Sequence, residues 1–212
     1  MKRTVIALSA VATAAVVTFG ATAHAATRPA PPTAGLTRYS DSYKVQHPYN
    51  LKQSARFSVT NGVYNTWILR GDKPLSRGSR TGPRTEMRWL KNWSSGEHMF
   101  DADVMVDPGT EGTAIFQVKS NTAGEPIYLV IQHGDLYHGT NHRIGTRLVG
   151  VWFHLTVDFN PSTGNGHVWV NNQMIFTTHV SGHATYYFKN GVYNISGSRS
   201  ETHWKNITFW RK

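Results

Sequence analysis

Hydrophobic and polar positions alternate along much of this chain with a period of two residues. In residues 151–159 every odd-numbered position is apolar, whereas His154, Thr156 and Asp158 occupy even-numbered positions. Residues 100–106 repeat the pattern with apolar side chains at the even-numbered positions, and residues 127–131 form a continuous apolar run. Alternation is typical of half-buried strands and a short apolar run of a buried strand, so these segments predict a β-rich protein.

Turn-forming residues separate the predicted strands, and helical periodicity is nearly absent. Such residues predict turns at 107–109 (Asp-Pro-Gly), 160–164 (Asn-Pro-Ser-Thr-Gly) and 190–191 (Asn-Gly). Glycine, proline and asparagine at these positions indicate tight turns rather than helices. Many short strands with this punctuation predict an all-β sandwich or jelly roll.

The first 35 residues differ in composition from the rest of the chain. Lys2 and Arg3 precede an apolar run over residues 4–19, and residues 23–25 (Ala-His-Ala) fit a small-x-small cleavage site. We therefore predict a signal peptide over residues 1–25 and a secreted protein. Residues 26–35 are rich in Pro, Ala and Thr and predict a linker or disordered N-terminus, and residues 36–212 predict one domain.

Composition narrows the range of partners. The 212 residues include 22 Lys plus Arg, 12 Asp plus Glu and no Cys, which excludes a disulfide scaffold and a thiolate metal site. Cleavage after residue 25 leaves 20 basic against 12 acidic residues, a net charge of +8. This excess favours a polyanionic partner such as an acidic polysaccharide, although it is also typical of a merely soluble surface. Export argues against nucleic acid, and we expect a monomer that does not attach to a membrane.

Three predicted strands place similar polar residues on one face. The opposite faces are expected to reach the core through residues such as Met87, Phe116 and Phe188. The sets expected on the open face are Arg84, Glu86 and Arg88; Ile115, Gln117 and Lys119; and Tyr187, Lys189 and Tyr193.

Guanidinium, ammonium, amide and phenol groups on one face suit an anionic ligand. Glu86 is expected to pair with a neighbouring arginine and to hold it in place. Residues 70–91 add seven basic against two acidic side chains in a stretch rich in Gly and Pro. That stretch predicts either a basic lip over a cleft or a solvated loop, and the open face itself can also be a solvated sheet surface.

The same segments resemble the jelly-roll polysaccharide lyases, most closely polysaccharide lyase family 7, the alginate lyases, and the related glucuronan lyases. The family pattern Arg-Ser/Thr-Glu-Leu/Val-Arg is similar to residues 84–88, and Tyr-Phe-Lys-Ala-Gly-x-Tyr-Asn is similar to residues 187–194. The middle pattern, Gln-Ile/Val-His, is similar to residues 117–119, except that Lys119 stands in place of the family His. The three blocks follow the family's order.

The resemblance implies a β-jelly roll, a concanavalin A-like sandwich, with the site on a concave sheet. It implies that Arg84 or Arg88 binds the uronate carboxylate together with Gln117, and that Tyr193 is the catalytic phenol. We expect Tyr193, Arg84, Gln117 and Lys119 to be catalytic, with no metal or other cofactor. The expected substrate-binding residues are Arg88, Lys189, Tyr187, Glu86, Asn194 and Arg80.

The expected activity is cleavage of a polyuronate by β-elimination. The reaction removes the C5 proton beside the carboxylate and expels the glycosidic oxygen from C4, so cations and donors must stabilise the charge that builds up on the carboxylate. In glucuronate and mannuronate both groups leave from one side, and the single phenol of Tyr193 can act as base and then as acid. Guluronate requires a separate base, so the absence of the family His makes it the less favoured substrate.

Two other functions stay open. Lys119 also fits a non-catalytic carbohydrate-binding module for acidic polysaccharides on the same fold, and the charge fits a basic surface-associated protein without sugar specificity. His133 is an alternative replacement for the family His. His133, His138 and His142 lie close in sequence, but no carboxylate or thiolate completes a metal site with them.

Two further groups of residues have alternative interpretations. Asp101 and Asp103 share a face, as the two carboxylates of a glycosidase do, but no other feature supports hydrolysis. The seven tryptophans can supply either sugar-stacking platforms or packing in the core and at sheet edges.

Overall fold

A computed structural model describes residues 32–181 and 184–212. The predicted signal peptide and residues 26–31 of the predicted linker lie outside the described residues, and residues 32–35 form a turn. Within the described ranges no helix is long and apolar enough to cross a membrane. The strands are β1 (Thr37–Tyr39), β2 (Tyr43–Gln46), β3 (Phe57–Thr60), β4 (Val63–Leu69), β5 (Arg84–Trp89), β6 (His98–Val106), β7 (Thr113–Ser120), β8 (Ile127–Gln132), β9 (Asp135–His138), β10 (His142–Gly145), β11 (Trp152–Asn160), β12 (Asn165–Val170), β13 (Gln173–His179), β14 (Tyr186–Tyr193) and β15 (Arg199–Arg211), and a short 3₁₀ helix spans Gln53–Ala55.

The strands form two antiparallel sheets. The seven-stranded sheet has the order β10-β9-β8-β7-β14-β5-β2. The eight-stranded sheet has the order β13-β12-β11-β6-β15-β4-β3, with β1 paired to β15. We call the face of the seven-stranded sheet that points away from the core the front face, and the corresponding face of the eight-stranded sheet the back face. The all-β sandwich predicted from alternation is confirmed.

The core lies between the sheets and is built from the apolar side of the alternating strands. Phe100 of β6 and Phe116 of β7 are fully buried, and their ring centroids are 4.8 Å apart across the two layers. Leu155 and Val157 of β11 are also fully buried, as the pattern predicts. Burial of each such side chain contributes roughly 1.5–3 kcal/mol to the stability of the fold. The alternation therefore determines which face of each strand points to the core.

The prediction for Ile115 is wrong. This residue was expected on the open face beside Gln117, but it is 1% exposed and packs in the core with Phe116 and Val118. The register of β7 against β8 shifts between Ala114 and Phe116. An extra residue in a strand reverses the faces of the residues before it, so the parity that holds from Phe116 onward fails at Ile115.

Candidate active site

Strand register brings the three sequence blocks together on the front face. Strands β7, β14 and β5 are neighbours, so Gln117 lies opposite Lys189, and Lys189 lies opposite Arg88. Further along β14, Tyr193 lies opposite Arg84. Residues that are about a hundred positions apart in the chain are therefore adjacent across the sheet, as the prediction of one open face requires.

Glu86 lies at the centre of this group and is 2% exposed. Its Oε1 accepts a hydrogen bond from Gln117 Nε2 at 2.5 Å, and its Oε2 lies 3.5 Å from Arg84 Nη1. Lys189 Nζ also donates to Oε2. A buried carboxylate is stable only when it is paired, and Glu86 is paired on three sides. The pairing with an arginine agrees with the sequence prediction, whereas the links to Lys189 and Gln117 are additional.

Lys189 is nearly inaccessible, with 3% of its side chain exposed. Burial lowers the pKa of Lys189, the charges of Arg84 and Lys119 lower it further, and the carboxylate of Glu86 opposes the shift. Its ammonium group is directed to Glu86 rather than presented to solvent. Lys189 was predicted to bind substrate, and the structure places it beneath the front face as the counter-ion of Glu86.

Arg84 lies beside the predicted catalytic phenol. Its guanidinium carbon is 4.2 Å from the ring centroid of Tyr193, and its Nη2 donates to Thr81 Oγ1 at 3.0 Å. Arg84 Nε is buried and has no hydrogen-bond partner among the described residues. A buried donor without an acceptor is a group that a bound carboxylate would satisfy. Of the two arginines left open by the sequence, Arg84 is therefore the one placed to act with Tyr193.

A second cluster surrounds Tyr187. The guanidinium carbon of Arg88 is 4.0 Å from the Tyr187 ring centroid, and Arg88 Nη2 donates to Asn92 Oδ1 at 2.6 Å. Lys119 lies opposite Tyr187 and forms an ion pair with Glu125, with both side chains about one-third exposed. At the position where the sequence resemblance implies an imidazole, this chain has an ammonium group that an acidic neighbour already partly neutralises.

Asn194 and Arg80 occupy the loops beside the site. Asn194 follows β14 with a φ of 64°, a conformation that Asn adopts more readily than most residues. Its N–H donates to Pro83 O at 3.0 Å, and a side chain at Gly82 would collide with it. Asn194 therefore shapes the turn that ends β14. Arg80 is exposed in the basic stretch, two residues before Gly82.

Tyr128 is a residue of the front face that sequence reasoning missed. It lies on β8 opposite Gln117. Burial raises the pKa of Tyr128, and the nearby Tyr193 and Glu86 raise it further, so this phenol stays protonated and available as a donor. The apolar run 127–131 concealed it, although Tyr128 alternates with the fully buried neighbours on either side.

The three histidines that lie close in sequence do not form one site. His133 is 77% exposed in the turn after β8, where its backbone N–H donates to Glu111 at 2.8 Å. His138 and His142 pack against Phe176, with ring centroids 4.4 and 5.4 Å away. His133 thus contacts Glu111, so its proposed role as a substitute for the family His gains no support from the described contacts.

Asp101 and Asp103 lie on the back face and not on the front face with the candidate site. They flank His154, whose Nε2 is 2.7 Å from Asp101 Oδ1 and whose Nδ1 is 2.8 Å from Asp103 Oδ1. A hydrolytic pair needs two carboxylates that face a bound sugar across open space. These two are joined through an imidazole, which removes the glycosidase interpretation.

One group of residues has the composition of a cation site. Asp107, Glu201 and His203 place potential ligand atoms within 4.8 Å of one another. His203 Nε2 lies 2.9 Å from Asp107 Oδ1, and Arg199 binds Glu201. The two carboxylates therefore already have cationic or hydrogen-bonding partners from within the chain.

Comparison with known proteins assigns the family. The family model described as Alginate lyase matches residues 39–210. The chain belongs to the alginate lyase family. The resemblance that the three sequence blocks indicated is thereby confirmed. A protein of Hevea brasiliensis named citrate-binding protein is 32% identical to this chain over 191 residues, which cover 86% of this chain and 80% of the relative.

Solved alginate lyases share the fold at low sequence identity. The enzyme from Corynebacterium sp. is 15% identical with a TM-score of 0.67, covering 81% of this chain and 94% of the enzyme. AlyA1 from Zobellia galactanivorans is 14% identical with a TM-score of 0.62, and the match covers 85% of this chain and 99% of AlyA1. A family 7 alginate lyase in complex with product is 17% identical with a TM-score of 0.65, and the match covers 81% of this chain and 95% of that enzyme. The jelly-roll prediction is confirmed.

Proposed function

We propose that this alginate lyase family member is a secreted polysaccharide lyase that cleaves a polyuronate by β-elimination, with glucuronate or mannuronate polymers as substrates. The observation that carries the proposal is the assembly of Arg84, Gln117 and Tyr193 on one face, with Glu86 bound to the first two. A cation, an amide and a phenol around one point are the groups that this reaction needs.

Arg84 would hold the uronate carboxylate together with Gln117, which is 2% exposed and keeps one amide N–H beside the one that it donates to Glu86. The Nε of Arg84 has no acceptor among the described residues, and a carboxylate oxygen would supply one. Glu86 fixes both side chains from below, so they need not reorganise when charge builds up on the carboxylate during proton removal. Tyr128, kept protonated by burial, adds a hydrogen-bond donor on the same face.

Tyr193 would carry the proton. As phenolate it takes the C5 proton, the C–H electron pair forms the C4–C5 double bond, and the C4–O bond breaks with its electrons on the departing oxygen. That oxygen then takes the proton from the same phenol. The guanidinium of Arg84, 4.2 Å from the ring centroid, is placed to stabilise negative charge on the phenol oxygen during the cycle.

The role of Tyr193 is tested by Tyr193→Phe. Removing the hydroxyl should reduce turnover of the polyuronate by about a thousandfold or more, with polymer binding changed by less than about threefold. Tyr186→Phe is the matched control: it lies on the same strand, points into the core, and its hydroxyl is buried without a partner. Full activity in Tyr193→Phe would show that another group moves the proton.

The relative named citrate-binding protein favours a second candidate function. In this alternative the front face binds a small polycarboxylate without catalysis, and Arg84 and Lys119 pair with its carboxylates. Two features fit it: the ammonium of Lys189 is occupied by Glu86, and Lys119 replaces the family's imidazole.

Calorimetric titration with citrate separates the two functions. If the front face is a polycarboxylate site, citrate should bind to the wild-type protein and binding should fall by about tenfold in Arg84→Gln. Lyase activity that is unaffected by saturating citrate would exclude this site as the place where citrate binds. Citrate binding in a protein that leaves every polyuronate uncleaved would favour the binding function.

A further inference from the structure

The back face carries four partly exposed tryptophans. Three of the seven tryptophans are buried in the core, namely Trp89, Trp93 and Trp204. The others alternate with buried neighbours on β4, β11, β12 and β15, so they point away from the core. They are Trp67, Trp152, Trp169 and Trp210, and Trp152 is 39% exposed. The front-face reaction uses none of them.

Trp152 borders a depression of about 360 Å³ that is lined mainly by polar side chains. Asp103, His154, Asn171 and Lys205 contribute to its wall. The ammonium of Lys205 lies 4.1 Å from the indole centroid. An exposed aromatic ring beside a carboxylate, an amide and an ammonium group can stack on the C–H face of a sugar ring and hydrogen-bond its hydroxyls.

The polar groups of the depression are held in fixed positions. His154 bridges Asp101 and Asp103, and Asp101 Oδ1 also accepts from Thr156 Oγ1 at 2.7 Å. Asp103 Oδ2 accepts from Asn206 Nδ2 at 2.7 Å. The backbone N–H of His154 donates to Asn171 Oδ1 at 2.9 Å. Such bracing lowers the entropy cost of binding a ligand, because the side chains are already ordered.

The charge of the back face is opposite to that of the front face. Among the described residues its five carboxylates outnumber the basic side chains that strand register or ring contacts place on the same face, namely Arg38, Arg199 and Lys205. A polyanion would be repelled here, whereas an uncharged sugar would not. The back-face carboxylates are Asp101, Asp103 and Asp158, together with Glu201, which lies opposite Trp67, and Asp107, which contacts His203.

We propose that the Trp152 depression is a second carbohydrate-binding site that takes an uncharged polysaccharide. A pyranose ring stacks on the indole in place of the Lys205 ammonium group, and its hydroxyls bond Asp103, Asn171 and the displaced ammonium group. The two faces then bind different polymers: a uronate chain at the front and a neutral chain at the back. This site does not depend on the front face being catalytic.

Retention on insoluble neutral polysaccharides tests the site. The wild-type protein should be retained on at least one of microcrystalline cellulose, insoluble xylan and curdlan, and retention should persist at high salt because no ion pair is involved. Trp152→Ala should weaken retention by about tenfold, and Trp152→Phe should recover part of it. Leu90→Ala is the matched control, since Leu90 is 49% exposed and lies outside the depression.

The outcomes separate this site from the front face. Tyr193→Phe should be retained like the wild-type protein. Retention of Trp152→Ala equal to that of the wild-type protein would overturn the proposal, and so would a wild-type protein that none of the three polymers retains. Equal melting temperatures of the variants would show that lost retention does not come from unfolding.

Discussion

Glu86 organises the front face at the level of single residues. It is the shared acceptor for Arg84, Gln117 and Lys189, and it is almost inaccessible to solvent. A carboxylate beneath a site for another carboxylate weakens the attraction for substrate. Glu86 also fixes the positions of Arg84 and Gln117, the two groups proposed to hold the substrate. Because the reaction depends on charges that are already in position, this effect outweighs the weaker attraction.

We predict that Glu86→Gln destabilises the protein by about 3–5 kcal/mol, because the buried ammonium of Lys189 loses its counter-ion. The double variant Glu86→Gln with Lys189→Met should recover much of that stability, since both charges are then absent. Denaturant unfolding of the single and double variants measures the coupling.

Two results would contradict this view of Glu86. One is a Glu86→Gln variant as stable as the wild-type protein. The other is a double variant with wild-type turnover, because Arg84 and Gln117 would then be positioned without the carboxylate.

At the level of elements, β14 determines how the site is assembled. Its residue Gly191 has a φ of 137° and lies so close to β5 that an added Cβ would be 2.3 Å from Thr85 O and 2.8 Å from Glu86 Cα. The turn predicted at residues 190–191 is therefore wrong: both residues lie within β14, and the glycine is explained by packing against β5. Gly191 lets β14 approach β5 at the position of Glu86, with Lys189 and Tyr193 on either side.

We predict that Gly191→Ala costs about 2–4 kcal/mol of stability and lowers turnover, because β14 must move away from β5. Gly134→Ala is the matched control: Gly134 also has a positive φ, 76°, but nothing lies within 4 Å of the added Cβ. It should cost about 1 kcal/mol and leave turnover unchanged. Equal losses of stability in the two variants, measured by denaturant unfolding, would refute the close approach.

Alternation predicted the faces of most strands, because burial of every second side chain is a local property of the sequence. It assigned Gln117, Lys189 and Tyr193 to one face, as observed. It failed at Ile115, where a register shift against β8 decides the face, and such a shift depends on a partner strand. It also passed over Tyr128, because one polar group among four apolar residues does not break an apolar run.

The molecule as a whole separates charge between its two faces. The sequence predicted a basic protein and a polyanionic partner from the total charge alone. It did not predict that carboxylates would gather on the back face beside His154, His167 and His203. These carboxylates and histidines lie on or directly after four different strands, β6, β11, β12 and β15, so only the order of strands in the sheet brings them together.

Protonation of His98 links the stability of the whole fold to pH. The ring stacks on Trp93 at 4.7 Å, and burial, followed by the charges of Arg211 and Lys91, lowers the pKa of His98 to about 4. The unfolded chain, with an ordinary histidine pKa of about 6.5, binds this proton more readily. This contribution to stability is therefore complete above pH 6.5 and is lost as the pH falls towards 4.

We predict that His98→Phe keeps the stacking on Trp93 and loses less stability than the wild-type protein between pH 7 and pH 4.5. The difference should be about 1 kcal/mol, reduced by the partial exposure of the ring to solvent. Denaturant unfolding at the two pH values measures it. Parallel losses in both proteins would mean that His98 does not contribute to the acid sensitivity.

Ultraviolet absorbance during incubation of the wild-type protein with glucuronan, polymannuronate and polyguluronate tests the central claim most directly. β-Elimination leaves a C4–C5 double bond conjugated with the carboxylate, which absorbs, whereas hydrolysis does not. We predict that absorbance rises with glucuronan or polymannuronate and rises less with polyguluronate. Constant absorbance with all three polymers, from a folded protein that still binds one of them or citrate, would contradict the lyase assignment and favour a binding protein on the lyase fold.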